Sequence, residues 1–245
     1  MRTFPSEFSA ALKPAVWSRR SITLAIAQNP HLSRLRWFPH ALPSDAATKL
    51  EQTLEKRVSP FLRPIKALVD EETITGMKTN FAEALPKTLR NWSVSLNSPA
   101  TPAYKVACDI GLVSLLKSES LREFASAVSG FQLSSRPGMQ VIRYGSGDYV
   151  GPHNDHHPED LHLRNGYVDL QITLSQPGVA RQYLIYEKGG FFNQLCNVGI
   201  KSGVAVSMLP FWHQVTPLEV KPGQERDAHR WLLLASFEIV ASPNR

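Results

Sequence analysis

The sequence predicts an α+β domain: a double-sheet jelly-roll core with supporting N-terminal helices. Three observations carry this. Before about residue 130, apolar residues recur at helical spacing. After it, short apolar stretches alternate with a period of two. Gly, Pro, Asn and Ser punctuate those stretches, as the turn-rich links of a jelly roll or barrel do. A β-sandwich without a pocket is the alternative.

Taken in order, the first forty residues are rich in Arg and Ser, with Glu7 their only acid. That composition mimics an organelle transit peptide, but "WSRRSITLAIAQNPHLSRLRWF" reads better as a surface segment docked on the fold. The stretch 44–62 predicts a helix capped by Ser44 or Asp45, with Leu50, Leu54 and Val58 on one face and Pro60 ending it. The stretch 118–131 predicts a second, capped by Ser118 or Ser120. Leu121, Phe124, Ala125 and Val128 line its apolar face, and Gly130 stops it. Strands are predicted at 139–145, 167–175, 182–188, 203–209, 213–220 and 230–240, with a short extended piece just before residue 153. Residues 1–130 are thus expected to be mostly helical and packed on a 131–245 jelly-roll core, the whole forming one structural domain.

Composition excludes several classes. The chain has 245 residues, 42% apolar and 20% charged, with a net charge of +6. Its Lys and Arg are scattered, so no nucleic-acid partner is expected. "WLLLASF" at 231–237 is far too short to cross a bilayer, and no membrane association is expected. No secretory signal is visible. Cys108 and Cys196 stand far apart, which suggests buried small hydrophobes in a reducing, cytoplasmic setting.

The chemistry concentrates in "GPHNDHHPED", residues 151–160. Fe(II) is held well by two imidazoles and a carboxylate on one face of an octahedron, leaving three positions open. An H-x-D pair can supply two of the three from one strand end, because a period of two puts both side chains on one face. His153 and Asp155 form such a pair. His157 and Glu159 form an H-x-E pair stiffened by Pro158, while His156 and His162 have no acid two positions on. His153 and Asp155 follow an extended piece, so they are favoured; the other histidines read as residues of a polar loop. His213, between an apolar strand and the next, is the candidate third ligand. Arg230 heads a very apolar strand and must be paired or reach a cavity, because a bare buried guanidinium is costly. A carboxylate-bearing cosubstrate would satisfy it with two parallel hydrogen bonds. His229 beside it reads as surface.

"VIRYGSGDYVGPHND", "VSMLPFWHQVTPL" and "RWLLLASF", in that order, resemble the prolyl-4-hydroxylase-like branch of the Fe(II)/2-oxoglutarate-dependent dioxygenases. The resemblance spans about Gly138 to Ile239. It implies a double-stranded β-helix (jelly roll) fold, and Fe(II), 2-oxoglutarate and O2 as cofactor and cosubstrates. It implies His153, Asp155 and His213 as metal ligands and catalytic centre, with Arg230 and the Tyr144 hydroxyl binding the far carboxylate of 2-oxoglutarate. The implied activity is hydroxylation of an unactivated C–H bond. Aspartate at 155, where halogenating relatives carry a small residue, implies a halide-free oxidation. The sequence departs from the family in two places. Arg230 lies 17 positions beyond His213 where about ten is usual, so Arg226 rivals it. The usual Gly-Gly-x-Leu segment is missing, and "RQYLIYEKGGFF" stands there. Arg181, Gln182 and Tyr183 then read as pocket or, slightly better, as sheet surface.

A small molecule, an amino acid or related metabolite, is the expected substrate, with an acidic group suiting the basic charge and Arg181. A peptidyl (prolyl-type) residue is the second choice. A non-oxidative metal-binding jelly roll, or an interaction module without metal, are the readings from other classes.

Overall fold

The computed structural model describes residues 3–17, 34–67, 88–155, 166–188 and 190–241. His156, His157, Glu159 and His162, and most of the docked-segment reading of 17–38, lie outside these residues.

Two short helices open the chain, α1 (Phe8–Ala11) and α2 (Pro14–Trp17), followed by strand β1 (Leu35–Pro39). Helix α3 (Ser44–Arg57) follows, with a 3-10 turn at Ser59–Phe61. Its face is the predicted one, with Leu50, Leu54 and Val58 buried. Its cap is not: Pro43 is the N-cap residue, no side chain caps the end, and Ser44 and Asp45 are already helical. Strands β2 (Arg63–Ala67) and β3 (Leu89–Ser95) precede helices α4 (Pro102–Asp109), α5 (Leu112–Leu116) and α6 (Glu119–Ser129). The α6 ends match expectation. The Ser118 hydroxyl accepts from the Leu121 amide, and Gly130 closes the helix at φ 80°, where a side chain would be strained.

The remaining strands are β4 (Gln132–Leu133), β5 (Gly138–Tyr144), β6 (Tyr149–His153), β7 (Tyr167–Ser175), β8 (Val179–Arg181) and β9 (Tyr183–Lys188). They are followed by β10 (Phe191–Asn197), β11 (Ser202–Leu209), β12 (His213–Val215), β13 (Glu219–Val220) and β14 (Arg230–Ala241). The single strand expected over 213–220 is two: β12 joins the main sheet while β13 pairs only with β8. Pro217 lies between them and has no amide to give a ladder.

Pairing runs β1-β11-β7-β14-β5-β3-β6-β12-β9-β10, antiparallel at every step. The bend lies at β3, which pairs with β5 through Trp92–Ser95 and with β6 through Leu89–Arg90. The sheet folds back there, so that residues of β5, β7 and β14 line one cavity with residues of β6, β9 and β12. β1, β2 and β3 come from before residue 130, so that stretch supplies sheet as well as helix.

Alternation explains the layers. On β14, Trp231, Leu233, Ala235 and Phe237 belong to the same core as Phe8, Leu54, Leu121 and Phe124 of the helices, while Arg230, Leu232, Leu234 and Ser236 line the cavity. β7 does the same with Val168, Leu170, Ile172 and Leu174 outward to the helices and Asp169 and Gln171 inward. Phe124 meets Phe8 and Phe38 edge-on, ring centroids 5.5 and 5.3 Å apart. Each fully buried apolar side chain of this size stabilises by roughly 1.5–3 kcal/mol. The helices thus hold the outer face of the strands whose inner face builds the site. Cys196 is buried, where burial pushes its thiol up to about 11; Cys108 is half-buried against the helical core, and both are free thiols.

Candidate metal and cosubstrate site

β6 ends at His153 and β12 begins at His213, and the two residues are Cα partners in the ladder. Their rings lie 4.1 Å apart, centroid to centroid. Phe211 stacks on His213 at 4.8 Å and fixes that ring from behind. Each Nδ1 faces a backbone carbonyl: His153 that of Gly151 at 2.7 Å, His213 that of Phe211 at 2.9 Å. A carbonyl only accepts, so each Nδ1 carries the proton and each Nε2 keeps its lone pair. Both lone pairs converge on Asp155, whose Oδ2 is 3.2 Å from Nε2 of His153 and 3.5 Å from Nε2 of His213. One ligand atom from each residue lies within 4.8 Å of the others.

The way Asp155 arrives differs from the sequence expectation. Strand alternation does not carry it, because β6 stops at His153 and Asp155 sits in the left-handed region at φ 50°. A turn swings the carboxylate back over the two imidazoles. Aspartate is among the few non-glycine residues that adopt this conformation readily. The Tyr167 hydroxyl donates to the Asp155 carbonyl at 3.1 Å and ties that turn to β7. Burial, with the Asp155 charge nearby, raises the Tyr167 phenol well above its ordinary range, so it remains a donor.

The triad opens onto a cavity of about 270 Å³. Arg230 lines it too, only 2% exposed, directly across the ladder from Tyr144. Its Nε donates to Oε1 of Gln182 at 2.5 Å and its Nη1 to Oγ1 of Thr173 at 2.9 Å. The guanidinium carbon stands 4.4 Å from the centroid of the Tyr144 ring, a cation–π arrangement. Burial pulls the guanidinium down to about 10, which leaves it charged at neutral pH. No acid among the described residues pairs with it. Tyr144 is buried, and that burial raises its phenol. Arg226 stands on an exposed turn.

Of the three residues after the missing Gly-Gly segment, the lean towards sheet surface fails for Gln182, which is fully buried. Its Nε2 donates to the carbonyls of Asp148 and Thr216 at 3.1 and 2.8 Å, turning Oε1 towards Arg230. Alternation could not reveal this, because Gln182 occupies the break between β8 and β9. Arg181 is exposed and paired with Glu219 at 2.7 Å, away from the cavity. Thr173, the other support of Arg230, carried no signal beyond its inward phase on β7. His229 is half-buried instead of on the surface, and burial lowers its imidazole.

Two imidazole nitrogens and a carboxylate oxygen suit a non-haem ferrous ion, and a buried guanidinium with no acid partner among the described residues suits an organic carboxylate. No helix among the described residues is long and apolar enough to cross a membrane.

No protein-family model matches the chain, and no curated protein matches it in sequence. Solved structures do match in fold. A 2OG-Fe(II) oxygenase family protein from Burkholderia pseudomallei superposes with a TM-score of 0.53 at 11% identity, covering 90% of this chain and 91% of that one. The α-ketoglutarate-dependent epimerase SnoN of nogalamycin biosynthesis gives 0.56 at 10% identity, covering 91% and 82%. A prolyl hydroxylase from Trichoplax adhaerens, bound to a peptide of the hypoxia inducible factor oxygen degradation domain, gives 0.54 at 13% identity, covering 89% and 90%. The chain therefore has the double-stranded β-helix fold of the Fe(II)/2-oxoglutarate-dependent oxygenases.

Proposed function

We propose that this protein is a 2-oxoglutarate-dependent non-haem iron dioxygenase that hydroxylates an unactivated C–H bond of a small molecule, an amino acid or related metabolite. The observation that carries the reading is one cavity with a His153–Asp155–His213 triad in its wall and the buried guanidinium of Arg230 in the same lining. Neither a structural nor a hydrolytic metal site calls for that guanidinium. Bound Fe(II) would supply the oxidative chemistry: one O2 is consumed, 2-oxoglutarate leaves as succinate and CO2, and one oxygen atom enters the C–H bond.

The chain's own residues have separable tasks in this reading. His153, Asp155 and His213 hold the metal, with the Gly151 and Phe211 carbonyls fixing both imidazole tautomers. Arg230 and Tyr144 receive the far carboxylate of 2-oxoglutarate. Gln182 and Thr173 orient the guanidinium from the other side. Leu232, Ile142 and Val215 give the cavity dry walls, which strengthen that ion pair and exclude water. The helices before residue 130 buttress the outer face of the sheet, and β1, β2 and β3 from the same stretch complete the sheet itself.

The test is anaerobic titration of the full chain with Fe(II) and 2-oxoglutarate, followed by succinate analysis in air. A charge-transfer absorption that needs both additions, with succinate formed afterwards, is the expected result. Metal binding that is indifferent to 2-oxoglutarate would instead support a non-oxidative metal-binding jelly roll. Succinate that appears faster only when a peptide is present would support the peptidyl alternative.

A further inference from the structure

One row of side chains crosses the Arg230 end of the cavity. β14 sets Arg230 opposite Tyr144 of β5. β3 pairs with β5 up to Trp92 opposite Arg143, so Asn91, the residue before Trp92, stands level with Tyr144. On the β6 side of the same strand Arg90 pairs with Tyr149, which sets Asn91 level with Asp148 as well. The Asp148 carbonyl is one of the two that hold the Gln182 amide, and Gln182 in turn accepts from Arg230. Asn91 thus stands on the wall beside the groups that aim the guanidinium, and Asn91, Tyr144 and Arg230 all line the cavity. Across its other edge Asn91 faces Ile65 of β2, an apolar side chain with nothing to offer an amide.

Asn91 is only 5% exposed, and its Oδ1 is buried with no hydrogen-bond partner among the described residues. A buried amide oxygen left so is a standing cost to the empty fold. Gln182 is the contrast: both ends of its amide are used, so its orientation is fixed. A carboxamide carries a donor and an acceptor that a half-turn of its last torsion exchanges. Asn91 can therefore turn Nδ2 towards an anion without giving up a hydrogen bond of the fold from Oδ1. Arg230 has a matching need, since no acid among the described residues pairs with it. One carboxylate answers both, because its two oxygens offer about four acceptor sites.

We propose that Asn91 is a third contact for the far carboxylate of 2-oxoglutarate, its Nδ2 donating beside Arg230 and Tyr144. The inference rests on the oxygenase reading for the identity of the cosubstrate and adds a residue to its site. Asn91 lies on β3, outside the stretch from Gly138 to Ile239 that resembles the family, so no motif points to it. A neutral donor adds a hydrogen bond without a second buried charge to desolvate. It also sharpens selectivity for a diacid, since a 2-oxo acid with an apolar tail leaves both the guanidinium and the amide unmet.

The experiment is calorimetric titration of the iron-loaded full chain, without oxygen, with 2-oxoglutarate and with 2-oxopentanoate, in which a methyl group replaces the far carboxylate. Asn91→Leu, of similar shape, should weaken 2-oxoglutarate binding by about tenfold, the effect of one buried hydrogen bond. It should leave 2-oxopentanoate binding, Fe(II) affinity and Tm as in the wild type. Asn91→Asp should weaken 2-oxoglutarate more than Asn91→Leu does, because its carboxylate repels that of the ligand. An unchanged 2-oxoglutarate affinity in Asn91→Leu overturns the proposal. So does an equal weakening of the two 2-oxo acids, the mark of a residue that only shapes the wall, or tighter 2-oxoglutarate binding by Asn91→Asp. Asn91→Ala carries the same comparison if leucine does not fit. Wild-type protein that binds Fe(II) but not 2-oxoglutarate would take down the oxygenase reading itself, whereas wild-type binding that the variants leave unaltered removes Asn91 alone.

Discussion

Gln182 and Arg230 meet inside the barrel, Oε1 accepting from Nε at 2.5 Å. Two backbone carbonyls hold the other end of the amide, so it cannot flip without facing them with an oxygen. The guanidinium is thereby aimed before any cosubstrate arrives. Gln182→Leu should raise the dissociation constant of 2-oxoglutarate by about tenfold, since one charge-assisted hydrogen bond orients Arg230 less firmly without it. Gln182→Glu should be worse, because the new carboxylate competes for the same cation. Calorimetric titration of the iron-loaded protein under anaerobic conditions distinguishes the two.

Arg230→Met should abolish measurable 2-oxoglutarate binding while leaving Fe(II) binding in place. Stability should change little, within about 4 °C in Tm. Removing a buried charge offsets the hydrogen bonds lost to Gln182 and Thr173. A large drop in Tm would mean that Arg230 is chiefly a structural residue.

Asp155 tests the metal reading from the backbone side. Asp155→Gly removes the ligand yet relaxes the left-handed φ, and Asp155→Asn keeps a side chain able to adopt it. Both variants should fold, and both should lose Fe(II) affinity by more than the roughly 10–100-fold that removing a supporting partner costs. Hydroxylation should vanish in both. Normal turnover in either would refute the assignment.

A Cβ on Gly199 would lie 2.6 Å from the Gln182 amide nitrogen and 2.9 Å from the Arg181 carbonyl carbon, both rigid backbone atoms. Gly199→Ala must therefore push the segment that carries Gln182. A reduced Tm together with weaker 2-oxoglutarate binding is expected, although residue 199 is not in the cavity lining. Thermal melts and the same titration check it.

His229 makes stability sensitive to mild acid. Burial, and then the nearby Arg143 charge, hold its imidazole below the ordinary value of about 6.5. As pH falls through 6.5, the unfolded chain takes up this proton before the folded one does. The stability present above that pH is lost below it. His229→Gln should flatten the dependence of Tm between pH 7 and pH 5, read from melts at fixed ionic strength.

Much of the fold was legible because it rests on local pattern. The buried face and both caps of α6 follow from spacing and from Ser118 and Gly130. The strands β5, β7, β9, β11 and β14 follow from runs with a period of two or of continuous apolar character. β1 and β3 were not seen: β1 is only five residues long, and β3 interleaves Arg, Asn and Ser among its apolar positions. Their pairing with β11 and with β5 and β6 gives them a sheet to join, which outweighs such weak propensity.

By itself the sequence determined which residue types stand at the ends of which strands: an H-x-D pair, a distant His213, and Arg230 at the head of an apolar run. Chemistry that depends on residue identity is written there. Only the tertiary structure decided the distances. The antiparallel ladder sets His213 opposite His153, a left-handed turn returns Asp155 to them, and the fold at β3 closes the cavity that Arg230 shares. It also recruited Gln182, whose role depends on partners far away in the chain. A buried amide acquires its meaning from the groups that surround it, and those groups meet only once the sheet has closed.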